Sequence, residues 1–186
     1  MRAVAPGALA VAAPGRLRVA VVVTGVALMA SGAMFGFFYA WVSSTMWGLD
    51  AIDPRVAMAA MQGMNASVRN PVFGLGFFGT PVVLAAAAAA ALWAGDRLAG
   101  AFLGAALVAY TLGVFLLTLS VNVPMNVALA ELSVPKDRAE AAAIWSAYSP
   151  RWQVFNAVRT VFCGASLALT AAALLRLGRA QGSPVT

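Results

Sequence analysis

Four polar residues interrupt two long apolar stretches of the sequence, and their types could form a binding or reaction site. Asn122 and Asn126 flank Pro124 at the end of one stretch, and Asn156 and Arg159 lie in the last stretch. A charge or an unpaired amide inside a membrane span is costly, so an intramembrane arginine is a functional hypothesis by default. We therefore expect these four side chains to face other protein groups and to converge on one polar pocket.

Helical spacing extends each pair of residues into a polar seam. One face of the last stretch carries Arg159 together with Gln153, Asn156, Thr160, Cys163, Ser166 and Thr170. The earlier stretch carries a matching seam of Thr111, Thr118 and Asn122. Pro124 is expected to break or kink that helix, because proline lacks an N–H donor. The two seams predict a pocket between helices at the outer end of a bundle.

The elements that must position these residues are membrane-spanning helices. The chain has 186 residues, of which 62% are hydrophobic and 10% charged, far from the composition of soluble domains. Four runs approach or exceed the roughly 20 apolar residues that cross a bilayer, at about 19–42, 72–94, 98–121 and 154–175. We predict an all-α membrane protein, a four-transmembrane-helix bundle over residues 19–177 that contacts membrane lipid.

The two ends of the chain are expected to be tails. Residues 1–18, which begin with an Ala, Pro and Gly-rich stretch, are predicted to be a flexible N-terminal tail, and residues 178–186 a C-terminal tail. A cleaved signal peptide is the competing interpretation, because Arg2 precedes a mildly apolar stretch. Pro6 and Pro14 interrupt that stretch, which favours the tail.

The positive charges predict that both termini are cytoplasmic. With the N-terminus inside, the inner side carries 6 − 1 = +5 and the outer side 6 − 5 = +1, although the basic residues alone are equal in number. The inner ones lie in short flanks, which weigh most in the positive-inside rule; they are Arg2, Arg16, Arg18, Arg97, Arg176 and Arg179. We expect an integral protein of the plasma (inner) membrane with this orientation.

Two amphipathic helical segments are predicted on the outer side, whereas the inner connection at residues 95–97 is a tight turn. In the first segment Asp53 can cap and Pro54 can start a helix. Its stripe of Met58, Met61, Met64 and Val68 is interpreted as packing. In the second segment Ser133 and Pro135 are expected to open a helix, and Ser149-Pro150 to cap and start the fourth span.

The polar residues also have a purely structural interpretation. Asn, Thr and Ser often join transmembrane helices by hydrogen bonds, and Arg159 could simply pair with Glu131 or Glu140. Trp145 and Trp152 fit interfacial anchors better than catalytic groups. We favour the structural role for the Thr and Ser residues and a site for the four residues of the pocket.

Several kinds of site are disfavoured by composition. The chain has no histidine and a single cysteine, Cys163, so the commonest metal ligand and the commonest general base are missing. We therefore expect no metal and no cofactor. The basic residues are scattered singly rather than clustered, so nucleic acid is not an expected partner. The sequence does not indicate an oligomeric state.

These same residues carry a family resemblance. Residues 122–126 read Asn-Val-Pro-Met-Asn, residues 156–160 read Asn-Ala-Val-Arg-Thr, and a Trp-rich segment with Trp145, Tyr148 and Trp152 lies between them. Upstream, Met61-Gln62 with Asn65 and then residues 70–73 complete the pattern. The sequence resembles the anthrone oxygenase-like family of small four-helix membrane proteins over roughly residues 28–175. Val127 and Phe155 depart from residues that are common in that family.

The resemblance implies oxidation of a lipophilic aromatic substrate such as an anthrone, a reaction of polyketide biosynthesis. An anthrone ionises to an electron-rich enolate, which can reduce oxygen without a cofactor. Arg159 is then expected to supply positive charge, with Asn122, Asn126 and Asn156 as hydrogen-bond donors and Glu131 as the base if burial raises its pKa. The expected substrate-binding residues are Gln62, Asn65, Trp145, Tyr148, Trp152 and Thr160.

Two other functions stay open from the sequence. A non-catalytic binding or accessory membrane protein would keep the pocket without any oxygen chemistry. A small transporter or channel is less favoured, because no inverted repeat and no pair of similarly broken spans is evident.

Overall fold

The computed structural model describes residues 14–182 and is helical over most of this range. In chain order the helices are α1 (Pro14–Ala40), α2 (Met46–Asp50), α3 (Pro54–Ser67), α4 (Pro71–Trp93), α5 (Arg97–Tyr110), α6 (Val123–Glu131) and α7 (Arg138–Gly182). Three π-helical segments join some of them: π1 (Trp41–Thr45), π2 (Thr111–Leu116) and π3 (Thr118–Asn122). The signal-peptide alternative concerns residues that lie outside the described range.

Within residues 14–182, four continuous helical segments are long and apolar enough to cross a membrane, which confirms the predicted fold class. They are Pro14–Asp50, Pro71–Trp93, Arg97–Glu131 and Arg138–Gln181. The bundle closes as a ring in which α1 packs against α4 and α7, and α5 packs against the same two helices. Its interior is lined by small and apolar residues such as Ala20, Ala27, Leu84, Ala87 and Leu103, so the helix backbones can approach closely.

The connection between α4 and α5 is a tight turn, as predicted. Gly95 adopts a positive φ of 85°, a conformation that glycine allows without steric cost. The Asp96 side chain accepts the Ala99 N–H at 3.0 Å and the Arg176 Nε–H at 2.7 Å, so it caps α5 and ties it to α7. Although partial burial acts to raise it, the pKa of Asp96 is lowered by these two hydrogen bonds. We call this end of the bundle the turn end and the opposite end the distal end.

The distal end is covered by α2, α3, α6 and the first turns of α7. The predicted start of α3 is confirmed: the Asp53 side chain accepts the Arg55 N–H at 2.9 Å, and Pro54 occupies the first helical turn. Met58 and Met61 are fully buried in a second apolar cluster, together with Trp145 and Trp152. The methionine stripe therefore packs this cover onto the bundle, as interpreted from the sequence.

Several helix boundaries differ from the prediction. Helix α1 begins at Pro14, before the predicted start at residue 19, and α7 continues to Gly182, beyond the predicted end at residue 175. Residues 14–18 and 178–182 are helical rather than tails. These ends are stabilised by apolar packing, since Leu177 belongs to the buried core of the bundle and the partly buried Leu17 packs against it.

The second amphipathic segment is not a separate helix that opens at Ser133. Residues 133–137 are irregular, and α7 begins at Arg138, where the Asp137 side chain accepts the Glu140 N–H at 2.8 Å. The prediction that Ser149-Pro150 starts a new helix is also wrong, because α7 runs through Pro150. The Ser149 hydroxyl instead donates a hydrogen bond to Asp50 at 2.7 Å.

Pro124 does not end its helix. The chain remains helical from Arg97 to Glu131, and two π-helical segments precede the proline. In the second of them the Val123 N–H bonds the Thr118 carbonyl, five residues back. We infer that this wider turn accommodates Pro124, which has no N–H to continue the α-helical ladder.

Candidate functional site

A cavity of about 480 Å³ lies at the distal end, between the two apolar clusters. All four membrane-spanning segments and α3 contribute side chains to its wall. Its size falls within the range of small-molecule sites, which is roughly 300–1,000 Å³.

Most of the wall is aromatic. Trp41 and Trp152 approach with ring centroids 5.1 Å apart, and Phe37 and Phe73 approach to 4.9 Å. The complete aromatic set is Phe37, Phe38, Trp41, Phe73, Phe77, Phe78 and Trp152. Aromatic groups favour stacked or edge-on contacts with other rings, so this wall suits a flat aromatic ligand.

The backbone that carries one of these rings is held by a hydrogen bond at a site where a proline interrupts the α4 ladder. Pro81 lacks an N–H, so the Phe77 carbonyl four residues earlier has no partner in the helix. The Tyr110 hydroxyl, which is fully buried, donates to this carbonyl at 3.1 Å. The hydrogen bond joins α5 to α4 beside the cavity and holds the backbone of Phe77.

Arg159 brings a positive charge into the cavity wall. Its side chain is only 4% exposed, and its guanidinium lies over the rings of Phe38 at 4.7 Å and Trp152 at 5.2 Å. It donates to the Asn156 Oδ1 at 3.0 Å and to the Thr118 Oγ1 at 3.4 Å. Aromatic faces attract a desolvated cation, so the two rings stabilise this guanidinium, which has no acidic partner among the described residues.

The charge of Arg159 is not neutralised by a carboxylate within the described range. Ion pairs within residues 14–182 join Asp53 to Arg55 and Arg138, and Asp96 to Arg176, and none of these pairs includes Arg159. The cavity wall as described contains two arginines, Arg159 and Arg69, and no acidic residue. The Arg159 Nε–H is buried and has no hydrogen-bond partner among the described residues. A buried cation of this kind favours an anion beside it.

A second polar group lies across the cavity wall and is centred on Asn126. Its Oδ1 accepts hydrogen bonds from the Tyr148 hydroxyl at 2.8 Å and from the Trp152 indole N–H at 2.9 Å. Its amide nitrogen donates to the Asn65 Oδ1 at 2.9 Å. This chain of hydrogen bonds joins α3, α6 and α7, and it places both amides in the wall.

Three of the wall residues belong to π-helical segments. Trp41 is the first residue of π1, and Thr118 and Leu119 are the first two residues of π3. π-Helical turns inside α-helices are rare and occur frequently at functional sites. Here they coincide with the cavity, which agrees with a functional role for this end of the bundle.

A family comparison agrees with this geometry. Residues 71–169, which are more than half of the chain, match the model of the anthrone oxygenase family. The chain belongs to the anthrone oxygenase family. No curated protein and no solved structure matches it.

The part that matches the family model contains Asn126, Asn156, Arg159 and Trp152, but not α1 or α3. Five of the residues proposed from the sequence line the cavity: Asn65, Asn126, Trp152, Asn156 and Arg159. The structure therefore brings three of the four pocket residues together.

The fourth pocket residue, Asn122, does not line the cavity. It is fully buried, and neither its Oδ1 nor its Nδ2 has a hydrogen-bond partner among the described residues. Thr160 also lies outside the wall, because its hydroxyl bonds the Asn156 carbonyl within α7 at 2.9 Å. It acts within its own helix.

Glu131 is not placed as a catalytic base would need to be. It is the last residue of α6, it is exposed, and it does not line the cavity. No ion pair within residues 14–182 joins it or Glu140 to Arg159. The burial on which its expected role depended is therefore not found.

The remaining expected substrate-binding residues stabilise the cover. The Gln62 amide donates to the carbonyls of Leu129 and Leu132 at 2.8 and 2.9 Å, and so ties α3 to the end of α6. The Trp145 indole donates to Asp50 at 2.8 Å. Tyr148 does not line the cavity, but its hydroxyl donates to the wall residue Asn126 at 2.8 Å.

Two features of this region were not predicted from the sequence. Asp50 accepts hydrogen bonds from Trp145, Ser149 and Gln153, and so joins α2 to α7. Asp50 is remote from these partners in the sequence, so no local pattern indicates that they are in contact. The phenylalanines of α1 were also missed, because in a membrane span they cannot be distinguished from lipid-facing residues by type alone.

The cavity reaches the surface of the bundle between α4 and π3. Phe78 and Leu119 both line the cavity and are 55% and 42% exposed. Arg69 and Asn70, at the start of α4, are exposed wall residues nearer the cover. An apolar ligand could therefore enter from the side of the bundle that lipid contacts.

No group of three or more His, Cys, Asp and Glu side chains that could hold a metal ion occurs in residues 14–182. Cys163 is fully buried and has a free thiol. It does not line the cavity.

Proposed function

We propose that the protein is a membrane oxygenase that oxidises a lipophilic phenolic or aromatic substrate in the distal cavity, without a cofactor. The observation that carries the proposal is the buried guanidinium of Arg159, which lies in an aromatic wall and has no carboxylate beside it among the described residues. Membership of the anthrone oxygenase family supports the same chemistry.

The wall favours a flat, ring-shaped substrate with an ionisable oxygen. Its volume accommodates a fused-ring molecule, and its Phe and Trp side chains supply apolar contact. Arg159 retains unused N–H groups, since a guanidinium has five and the structure shows hydrogen bonds from two of its nitrogens. These donors can bind an enolate or phenolate oxygen.

Arg159 promotes the reaction by stabilising the anionic form of the substrate. The charge is fixed in place by Asn156, Thr118 and two aromatic rings before substrate arrives. Such a preorganised charge in a dry cavity stabilises developing negative charge more strongly than water does. The substrate pKa is thereby lowered, and the electron-rich anion becomes the bound species.

The reaction balances with dioxygen as the oxidant. For an anthrone, the ring methylene loses a proton to give the enolate, which transfers one electron to O₂. The resulting radical and superoxide combine at the former methylene carbon to form a C–O bond and a peroxide, which takes up the proton. Loss of the remaining C–H proton and cleavage of the O–O bond then give the quinone carbonyl and one molecule of water.

The cavity wall, as far as it is described, offers no carboxylate to take the first proton. We assign that proton to water at the exposed rim near Arg69 and Asn70. This feature also favours a second candidate function, a non-catalytic protein that binds an aromatic anion. The two functions share the cavity and differ only in the consumption of oxygen.

The protein would work in the plasma (inner) membrane with both termini cytoplasmic. The turn end carries Arg16, Arg97 and Arg176 close to the bundle, in agreement with the positive-inside rule. Arg16 lies over the Trp93 ring at 4.9 Å, an interfacial pairing of a cation with an aromatic group. The cavity then lies in the outer half of the membrane.

Oxygen uptake tests the proposal. The full chain in phospholipid vesicles is mixed with anthrone, and oxygen consumption is compared with that of empty vesicles. Uptake at one O₂ per anthrone above the background supports an oxygenase. Binding of anthrone with no uptake above the background would leave the binding function and reject catalysis.

A further inference from the structure

In the cavity wall the amide oxygens already accept hydrogen bonds, whereas two N–H donors have no hydrogen-bond partner among the described residues. Asn126 Oδ1 accepts two hydrogen bonds, Asn65 Oδ1 accepts one, and Asn156 Oδ1 accepts one from Arg159. The buried wall atoms without a partner among the described residues are both donors, Arg159 Nε and Asn65 Nδ2. This asymmetry selects the chemistry of a ligand.

The orientation of Asn126 and Asn65 is fixed by a group that can only donate. An indole N–H cannot accept a hydrogen bond, so the atom of Asn126 that faces Trp152 must be its oxygen. The amide nitrogen of Asn126 then faces Asn65 and requires an oxygen there. The remaining amide nitrogen of Asn65 is left without an acceptor among the described residues.

The orientation of Asn156 is fixed by a group that can only accept. Its amide nitrogen donates to the Phe38 carbonyl at 3.2 Å, so its oxygen faces Arg159. Thr118 is committed as well, because its hydroxyl hydrogen is donated to the Val114 carbonyl at 2.6 Å. At each end of the polar wall the atom that remains available to a ligand is therefore an N–H donor, Asn65 Nδ2 at one end and Arg159 Nε at the other.

Asn65 is 9% exposed and Arg159 is 4% exposed, so neither donor is freely hydrated. An unsatisfied buried donor destabilises the empty cavity, and a ligand oxygen can remove that cost. The two donors come from different elements, α3 and α7. A single ligand atom is not required to serve both.

We propose that the cavity prefers aromatic ligands with at least two acceptor oxygens, an anionic oxygen bound by Arg159 and a second, carbonyl-like oxygen bound by the Asn65 amide. Asn65 is then the residue that determines specificity, because it strengthens binding of ligands with a second oxygen, whereas ligands with one oxygen, such as anthrone, are bound through Arg159 alone. The inference rests on the proposed cavity function but not on catalysis. It makes α3, which lies outside the part that matches the family model, a specificity element.

The test compares the binding of two ring systems in the absence of oxygen, so that neither ligand is oxidised. Wild-type protein and the Asn65→Leu variant, as full chains in vesicles, are titrated with 1,8-dihydroxyanthraquinone and with 1-hydroxyanthracene, which has one oxygen. Binding is followed by quenching of tryptophan fluorescence, since Trp41 and Trp152 line the cavity. We expect Asn65→Leu to weaken binding of the quinone by about 3- to 10-fold, the value of one hydrogen bond, and to leave the affinity for 1-hydroxyanthracene unchanged.

Tyr148→Phe is the matched control. Tyr148 lies near Asn65 and donates to Asn126, so this variant loosens the network of hydrogen bonds but retains the Asn65 amide. The proposal predicts that Tyr148→Phe retains the wild-type preference for the quinone. If Tyr148→Phe and Asn65→Leu lower the preference equally, Asn65 only positions its neighbours and the proposal is overturned.

Equal weakening of both ligands, or of neither, in Asn65→Leu would also overturn it. If that variant does not fold, Asn65→Ser, which shortens the side chain, is judged by the same comparison. If the protein binds these ligands but is not an oxygenase, oxygen uptake with anthrone is absent while the binding preference can still be measured, so the two proposals fail independently.

Discussion

Replacement of Arg159 by Met should separate function from stability. Methionine is apolar and of similar length, so it removes the charge and the N–H groups while it fills most of the space. If Arg159 stabilises the substrate anion, the variant should lose about 100- to 1,000-fold in the rate of anthrone oxidation, the loss found when one preorganised anion-stabilising donor is removed. Arg159→Lys retains the charge but not the planar donor fork, and we expect about a tenfold loss.

The effect on stability follows from the contacts of the guanidinium. Its loss leaves Asn156 Oδ1 without a donor, which costs about 1–3 kcal/mol. It also removes the two contacts with the Phe38 and Trp152 rings, worth up to about 2 kcal/mol each. Against this, a buried charge without an acidic partner is no longer desolvated, a gain of several kcal/mol. The opposing terms are similar in size, so we expect the free energy of unfolding to change by no more than about 2 kcal/mol.

The assay measures oxygen uptake and thermal unfolding on the same vesicle preparations of wild type, Arg159→Lys and Arg159→Met. The prediction fails if the Met variant unfolds at a much lower temperature than wild type and its remaining folded fraction oxidises anthrone at the wild-type rate. Arg159 would then be a structural residue held by Asn156 and the aromatic rings.

Three further predictions concern the scaffold. Tyr110→Phe should lower the free energy of unfolding by about 1–3 kcal/mol, because a buried carbonyl loses its donor; Tyr39→Phe, at a 52% exposed position, should not. Hydrogen bonds from the Arg55 side chain and N–H lower the pKa of Asp53 to about 2. The Asp53 carboxylate therefore stabilises α3 fully above about pH 4, and this stabilisation is lost as the pH falls toward 2. Hydrogen exchange at the start of α3 should accelerate over that interval. Labelling of single cysteines at Arg97 and Lys136 should place Arg97 in the cytoplasm and Lys136 outside, and labelling of both from one side would contradict this orientation.

The spans could be predicted from the sequence because apolar runs of sufficient length have few alternatives in lipid. The turn at residues 95–97 and the start of α3 could also be predicted from local sequence, a short connection that begins with Gly95 and an Asp-Pro pair; the structure shows Gly95 with positive φ and Asp53 as the cap. Local signals failed at Ser149-Pro150, where a cap-like pair lies within α7. There the serine hydroxyl binds Asp50, which is remote in the sequence, so the competing contact could not be seen.

The polar half of the site was also more predictable than its apolar half. Arg159, Asn156 and Asn126 stand out because polar groups are rare in a membrane span, and all three line the cavity. The aromatic wall from α1 gives no such signal, since Phe37 and Phe38 occur in a run that is apolar throughout. Glu131 was expected to act as a base, a role that its exposure at the end of α6 does not support.

Isotope labelling shows whether the cavity carries out the oxidation. The full chain in vesicles is supplied with anthrone under ¹⁸O₂, and the quinone product is analysed by mass spectrometry alongside samples with Arg159→Met and with empty vesicles. We predict one ¹⁸O atom in each quinone formed, at a rate above that of empty vesicles that falls about a hundredfold or more in Arg159→Met. Formation of labelled quinone at the same rate in all three samples would contradict this prediction, because the oxidation would then owe nothing to the cavity.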